Sequence, residues 1–147
     1  LASAIKTISD AIISRLVSQV SDLNAKTVRT FSGSLEDFIE KTVKNTPFVG
    51  VHLAAVTYDQ YDTQNRQAEE HLEFDLLLII KDLRSKSYGK KASYDLIDDV
   101  RDALIGQSLS VSGLNPIRIE SVGYSEDIET TGYYGYRMII TTFQIRE

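Results

Sequence analysis

Two histidines, His52 and His71, and several runs of carboxylates are the residues of this 147-residue chain best suited to proton transfer or metal binding. Imidazole titrates near neutrality and is a common metal ligand. The two histidines fall on different predicted strands, however, and neither comes with the carboxylate and open coordination position that a catalytic metal requires. Asp95, Asp98, Asp99 and Asp102 recur at helical spacing beside an apolar stripe. That pattern is the hydrated side of an amphipathic helix, with a cation or a basic partner as the alternative occupant. Glu69 and Glu70, and the run Glu126, Asp127 and Glu129, supply further carboxylates, but acid–base catalysis needs two groups in one pocket with different environments. The sequence contains neither GxSxG nor HExxH, and it has no cysteine, which removes thiol nucleophiles, thiolate metal ligands and disulfides. From the residues alone, the chain is not read as an enzyme, a small enzyme with an unrecognised active site being the alternative, and no catalytic residue, metal ligand or cofactor site is assigned.

The segment SEDIETTGYYGYRMIITTFQIRE at 125–147 holds the most suggestive aromatic group, Tyr133, Tyr134 and Tyr136, interleaved with Gly132 and Gly135. Tyrosines join an apolar ring to a hydroxyl, which suits a partly hydrated interface as well as a strand edge. Both readings stand, with the glycines letting the approach to the last strand bend. In a regular strand Tyr134 and Tyr136 share a face, so they form the coupled pair and Tyr133 is the more exposed contact.

The elements that position these groups follow from hydrophobic periodicity. Ile5, Ile8, Ile12, Leu16, Val20 and Leu23 predict a helix over 3–23. VRTF at 28–31 reads as a short extended piece, and Ser34 with Asp37 has capping spacing for a helix over 35–45. FVGVHLAAVTY, 48–58, predicts a strand with Val49, Val51, Leu53 and Ala55 on one face and His52, Ala54, Val56 and Tyr58 on the other. A long polar connection, DQYDTQNRQAEE, leads to HLEFDLLLIIKD, where Leu72, Phe74, Leu76, Leu78 and Ile80 share a face. On its reverse side Leu77 and Ile79 require a covering helix or subunit. A third helix is predicted over 93–105 with Gly106 as its terminator. PIRIESVGY, with Gly123 as a bulge or close approach, and the final strand form a second hairpin across the polar SEDIETTG connection. The fold class is therefore α+β, a mostly antiparallel sheet built from two hairpins and flanked by helices, in a single domain over 1–147.

Composition narrows the class further. A hydrophobic content of 42% with 25% charged residues belongs to a globular chain, and a net charge of -5 disfavours nucleic acid and anionic membrane as partners. RSKSYGKK, 84–91, is the one basic stretch, and it is read as a solvated turn. No apolar run reaches membrane-spanning length, and the opening segment lacks the apolar core of a secretory signal.

The N-terminal amphipathic helix, the pair FVGVHLAAVTY and HLEFDLLLIIKD, the helix and returning strand YDLIDDVRDALIGQSLSVSGLNPIRIESV, and YGYRMIITTFQIRE together resemble the small tail-terminator and tail-completion proteins of Mu-like contractile phages. The resemblance spans most of the chain. It implies a homo-hexameric ring at the head-proximal end of a virion tail, assembled in the bacterial host cytoplasm. There the ring stops growth of the tube or sheath and offers a surface to a head-completion or neck protein. A related head–tail connector or minor tail protein is the alternative within the same resemblance. It also implies two assembly loops, one carrying Tyr58, Asp59, Tyr61, Asp62, Arg66, Glu69 and Glu70, the other Glu126, Asp127 and Glu129 ahead of the three tyrosines.

Overall fold

A computed structural model describes residues 4–146 apart from 32–33, 44, 63–66, 81–85, 110, 112 and 130–132, with backbone alone at 4, 60–62, 67–68, 86–93 and 145–146. The first helix, α1, spans Ala4–Gln19 and buries Ile8, Ile12 and Leu16 completely. It ends four residues before the periodicity does. Around Asn24 the side chains compete for the backbone: Asn24 Oδ1 accepts from Lys26 N at 2.8 Å, and Thr27 Oγ1 accepts from Asn24 N at 2.9 Å. Val20 and Leu23 still reach the core from this turn. The short strand β1, Val28–Thr30, follows, then α2, Leu35–Thr42, whose predicted cap is present: Ser34 Oγ accepts from Asp37 N at 3.2 Å.

Strands β2, Phe48–Asp62, and β3, Gln67–Ile80, form a long antiparallel hairpin. The polar segment expected as a loop over 59–70 is thus mostly strand, with 63–66 outside the described residues. Asp59 pairs with Glu69 and Tyr58 with Glu70 on successive rungs, and polar composition alone concealed this ladder. β4, Arg118–Tyr124, and β5, Tyr134–Arg146, make the second antiparallel pair, and β3 pairs with β5 to give the order β1-β2-β3-β5-β4. Among the described strands only β1 pairs in parallel, so the sheet is mixed and mostly antiparallel. Helix α3 spans Lys86–Leu104, starting earlier than predicted, and takes Lys86–Lys91 into its first turns in place of a loop; Arg84 lies outside the described residues. Gly106, with φ 72°, follows the helix as the expected terminator.

Two bulges change which side chains share a face. Leu53 pairs with Phe74 and Ala55 with Glu73, so Ala54 is the extra residue. Beyond it the alternation reverses, bringing Val56 to the side of Val49, Val51 and Leu53, and leaving Ala55 exposed on the other. On β4 the shift falls at Glu120, between Ile119 and Ser121. Gly123, expected to mark a bulge or close approach, pairs regularly with Arg137, and a Cβ there would meet nothing within 4 Å. The close approach is at Gly135. A Cβ on Gly135 would collide with Ile128 and with Leu78 O at 2.9 Å, so this glycine makes room for a neighbour and does not bend the chain.

That neighbour belongs to α4, Glu126–Glu129, a single turn inside the segment expected as a polar connection. Ser125 Oγ accepts from Ile128 N at 3.3 Å and Ser125 O from Glu129 N at 3.2 Å, and Ile128 is fully buried. The sheet consequently has two apolar faces. One carries Leu72, Phe74, Leu76, Leu78, Met138 and Ile140 beneath α1 and α3. The other gathers Phe48, Leu77 and Ile79 under Phe38, Ile39 and Val43, from α2 and its C-cap, and Ile128 from α4. Helices thus supply the cover that Leu77 and Ile79 required. Burying each such side chain contributes about 1.5–3 kcal/mol relative to exposure, which makes β3, apolar on both sides, the center of the fold.

Candidate functional site

The second apolar cluster covers only one end of its sheet face. Toward the tip of the β2–β3 hairpin the same face turns polar and has no helix over it among the described residues. Here His71 stands opposite Thr57, stacked on Phe143 with ring centroids 5.2 Å apart. Its Nε2 is 2.9 Å from Glu69 Oε1 and 3.4 Å from Asp59 Oδ2, off the hydrogen-bond direction for both. His52 pairs in register with Asp75, several rungs away, and its Nδ1 lies 3.3 Å from Phe31 O. The two histidines are not brought together, and among the described residues no three His, Asp or Glu side chains are placed to hold a metal ion.

The hairpin residues separate by face. Asp59 is exposed, with Glu69 half-buried opposite it. Glu70 points to the opposite side and is 4% exposed, accepting from Tyr58 Oη at 2.9 Å and from Gln144 Nε2 at 2.8 Å. Two partners inside the sheet offset the desolvation of this carboxylate. Tyr58 keeps 58% of its surface exposed. The backbones of Tyr61 and Asp62 continue β2, and Arg66 lies outside the described residues.

A second group lies where β4 and β5 meet α4. Tyr136 is half-buried, edge-on to Tyr124 at 5.4 Å and tilted against Tyr94 at 6.0 Å. Tyr134 shares its face, as strand alternation requires, but the ring partners of Tyr136 come from β4 and α3. Tyr133, expected as the most exposed of the three, is half-buried against the second apolar cluster. Partial burial and a hydrogen bond to Glu129 push the Tyr124 phenol up to about 12. Burial and a hydrogen bond with Tyr94 also raise Tyr136. Glu126 and Asp127 are exposed and line a groove of about 410 Å³ floored by Ser121, Gly123, Arg137 and Ile139. Arg137 Nε lies 3.7 Å from Asp75 Oδ2.

Tyr94, Val122 and Tyr124 were not singled out in the sequence. Their signal is positional: Val122 and Tyr124 alternate on β4 once the Glu120 bulge is counted, and all three stay 39–53% exposed. The aspartates of α3 are exposed. Arg101 reaches Asp98 at 3.2 Å and Asp102 at 3.4 Å, while partial desolvation and repulsion from Asp22, Asp95, Asp102 and Asp98 raise the Asp99 carboxyl. These arrangements offer charged, aromatic and strand-edge contacts to a protein surface. No helix among the described residues is long and apolar enough to cross a membrane.

Comparison with known proteins bears on the fold and the family. No curated protein matches the chain. Among solved structures, a chain described as "Virion of native gene transfer agent (GTA) particle" is similar, with a TM-score of 0.62 at 15% identity, covering 99% of this chain and 100% of that one. At that identity the likeness speaks for the fold. The family model described as Bacteriophage Mu, Gp37 matches residues 4–136, from the first turn of α1 into β5. The chain belongs to the bacteriophage Mu Gp37 family and is a phage tail-associated protein.

Proposed function

We propose that this protein is a structural tail terminator. A ring of copies, six in number by analogy with Mu-like tails, caps the head-proximal end of a phage or phage-like tail. It stops growth of the tube or sheath and presents the surface to which a head-completion or neck protein attaches. The observation that carries this reading is the match of the Mu Gp37 family model to residues 4–136. Full-length similarity in fold to a chain from a gene transfer agent virion supports a particle component. The role asked of the chain is mechanical: its exposed groups suit contacts, with Asp59, Glu126 and Asp127 as acids and Tyr58, Tyr94 and Tyr124 as amphipathic rings.

Labelling a tagged copy on isolated tails tests the location. Label confined to the head-proximal end, with six-fold density there, is the expected result. Label along the tube or at the distal end rejects capping. Label only in completed particles, on tails of normal length without it, favours the head–tail connector reading.

A further inference from the structure

We infer that copies of this chain join edge to edge, the outer edge of β4 in one copy pairing antiparallel with the outer edge of β2 beyond Val51 in the next. The contact deepens the capping-ring reading and rests on it for closure. Among the described residues the sheet order leaves two free edges. On one side β1 covers only Val49–Val51, and Phe31 N bonds Val51 O at 2.8 Å; β2 then runs on to Asp62 with no strand beside it among the described residues. On the other side β4 has no outer partner among the described residues. Unpaired edges display rows of donors and acceptors that are ready to add a strand.

Direction and face fit a repeat of the same molecule. The antiparallel pairs make β2 and β5 run one way and β3 and β4 the other. A second copy placed alongside without inversion therefore sets its β2 antiparallel to β4, with corresponding faces on the same side. The bulges also match. With Val122 opposite Tyr58, Tyr124 meets Val56 and Ser121 meets Asp59. The register shift at Glu120 then falls opposite the shift between Asp59 and Asp62, and Arg118 reaches the rung of Asp62.

The side chains favour this pairing over a two-fold one. Val122 and Tyr124 are 39% and 40% exposed on the sheet face that also presents Tyr58. Arg118, 77% exposed, has Glu120 at 3.8 Å as its one acidic partner among the described residues, and it comes beside the acidic stretch that begins at Asp59, itself 71% exposed. Joining β2 to β2 would instead set acid against acid. Within one copy Val122 shares a rung with Met138, Leu76 and Val51, so clearing β1 slides the neighbour along the strands by about 20 Å. Such a stagger is what a closing sheet needs, and a head-to-tail contact is the kind that closes into a ring.

Because the chain has no cysteine, Tyr58→Cys and Val122→Cys can be joined selectively with a short bis-maleimide, on the concentrated free protein and on purified tails. With both substitutions in one chain a ladder of covalent multimers is expected. A mixture of the two single variants should stop at dimers, and each variant alone should not cross-link. Dimers from Val122→Cys alone would replace the proposal with a two-fold β4 contact, and no ladder in either preparation would overturn it. If the ladder forms in solution but tails lack the protein, the capping reading fails and the edge contact stands. If tails carry the protein and end normally without a ladder, the reverse holds.

Discussion

Replacing Ile128 by alanine tests whether the four-residue turn α4 is a pinned part of the fold. Ile128 has no exposed surface and sits against Gly135, in a cluster with Phe38, Phe48, Leu77 and Ile79. Removing three carbons forfeits about 0.8 kcal/mol each, and the strands beneath cannot collapse fully into the space, so about 3 kcal/mol is expected. For a chain of this length that corresponds to a fall in Tm of roughly 6–12 °C, read by circular dichroism. Gly135→Ala gives an independent check, because its added methyl would overlap Ile128. It should destabilise the native chain and cost less when Ile128 is already alanine, although Leu78 O at 2.9 Å keeps the relief partial. The coupling in that double-mutant cycle should be about 0.5–3 kcal/mol. A cost below about 1 kcal/mol for Ile128→Ala, with no coupling to position 135, would refute the claim that α4 is locked onto the sheet.

Three further outcomes follow. Gln144→Ala should cost about 1–3 kcal/mol in urea unfolding, more than Tyr58→Phe, because it removes a buried donor from Glu70 whereas Tyr58 is 58% exposed. Unfolded Tyr124 ionises near 10, but the folded phenol holds its proton to about 12, so its contribution is complete below pH 10 and is lost as pH rises toward 12. In a tyrosinate absorbance titration Tyr124→Phe should remove one phenol from the late-titrating group, which Tyr136 shares. The raised Asp99 carboxyl reflects an ionised state that folding disfavours, a penalty present at neutral pH and lost as pH falls through the carboxylate range. Asp99→Asn should therefore raise Tm at neutral pH, with the gain fading in acid.

Strong periodicity made the frame of the fold legible. The apolar stripe of α1, the Ser34 cap and the two-sided apolar run of β3 each had one structural solution, and Leu77 with Ile79 announced a covering element. What stayed hidden depended on registers that no single segment encodes. Ala54 and Glu120 each displace one residue from the ladder, which reassigns Val56, Val122 and Tyr124 to faces that strict alternation does not give. Polar composition concealed the outer hairpin and α4, because Glu70 and Ile128 reveal their burial only once Gln144 and Gly135 lie across from them. The aromatic group was visible at Tyr136, but its ring partners Tyr94 and Tyr124 come from distant parts of the chain. The proposed capping role rests on resemblance across the chain, since no local motif specifies it.

The central claim is that this protein ends tail growth, and the length distribution of tails made without it tests that most directly. In electron micrographs of particles from a strain lacking the gene, the account predicts tails of abnormal and widely scattered length with unjoined ends, restored to uniform length by the intact gene. Tails of normal, uniform length joined to heads in the absence of the protein would contradict it.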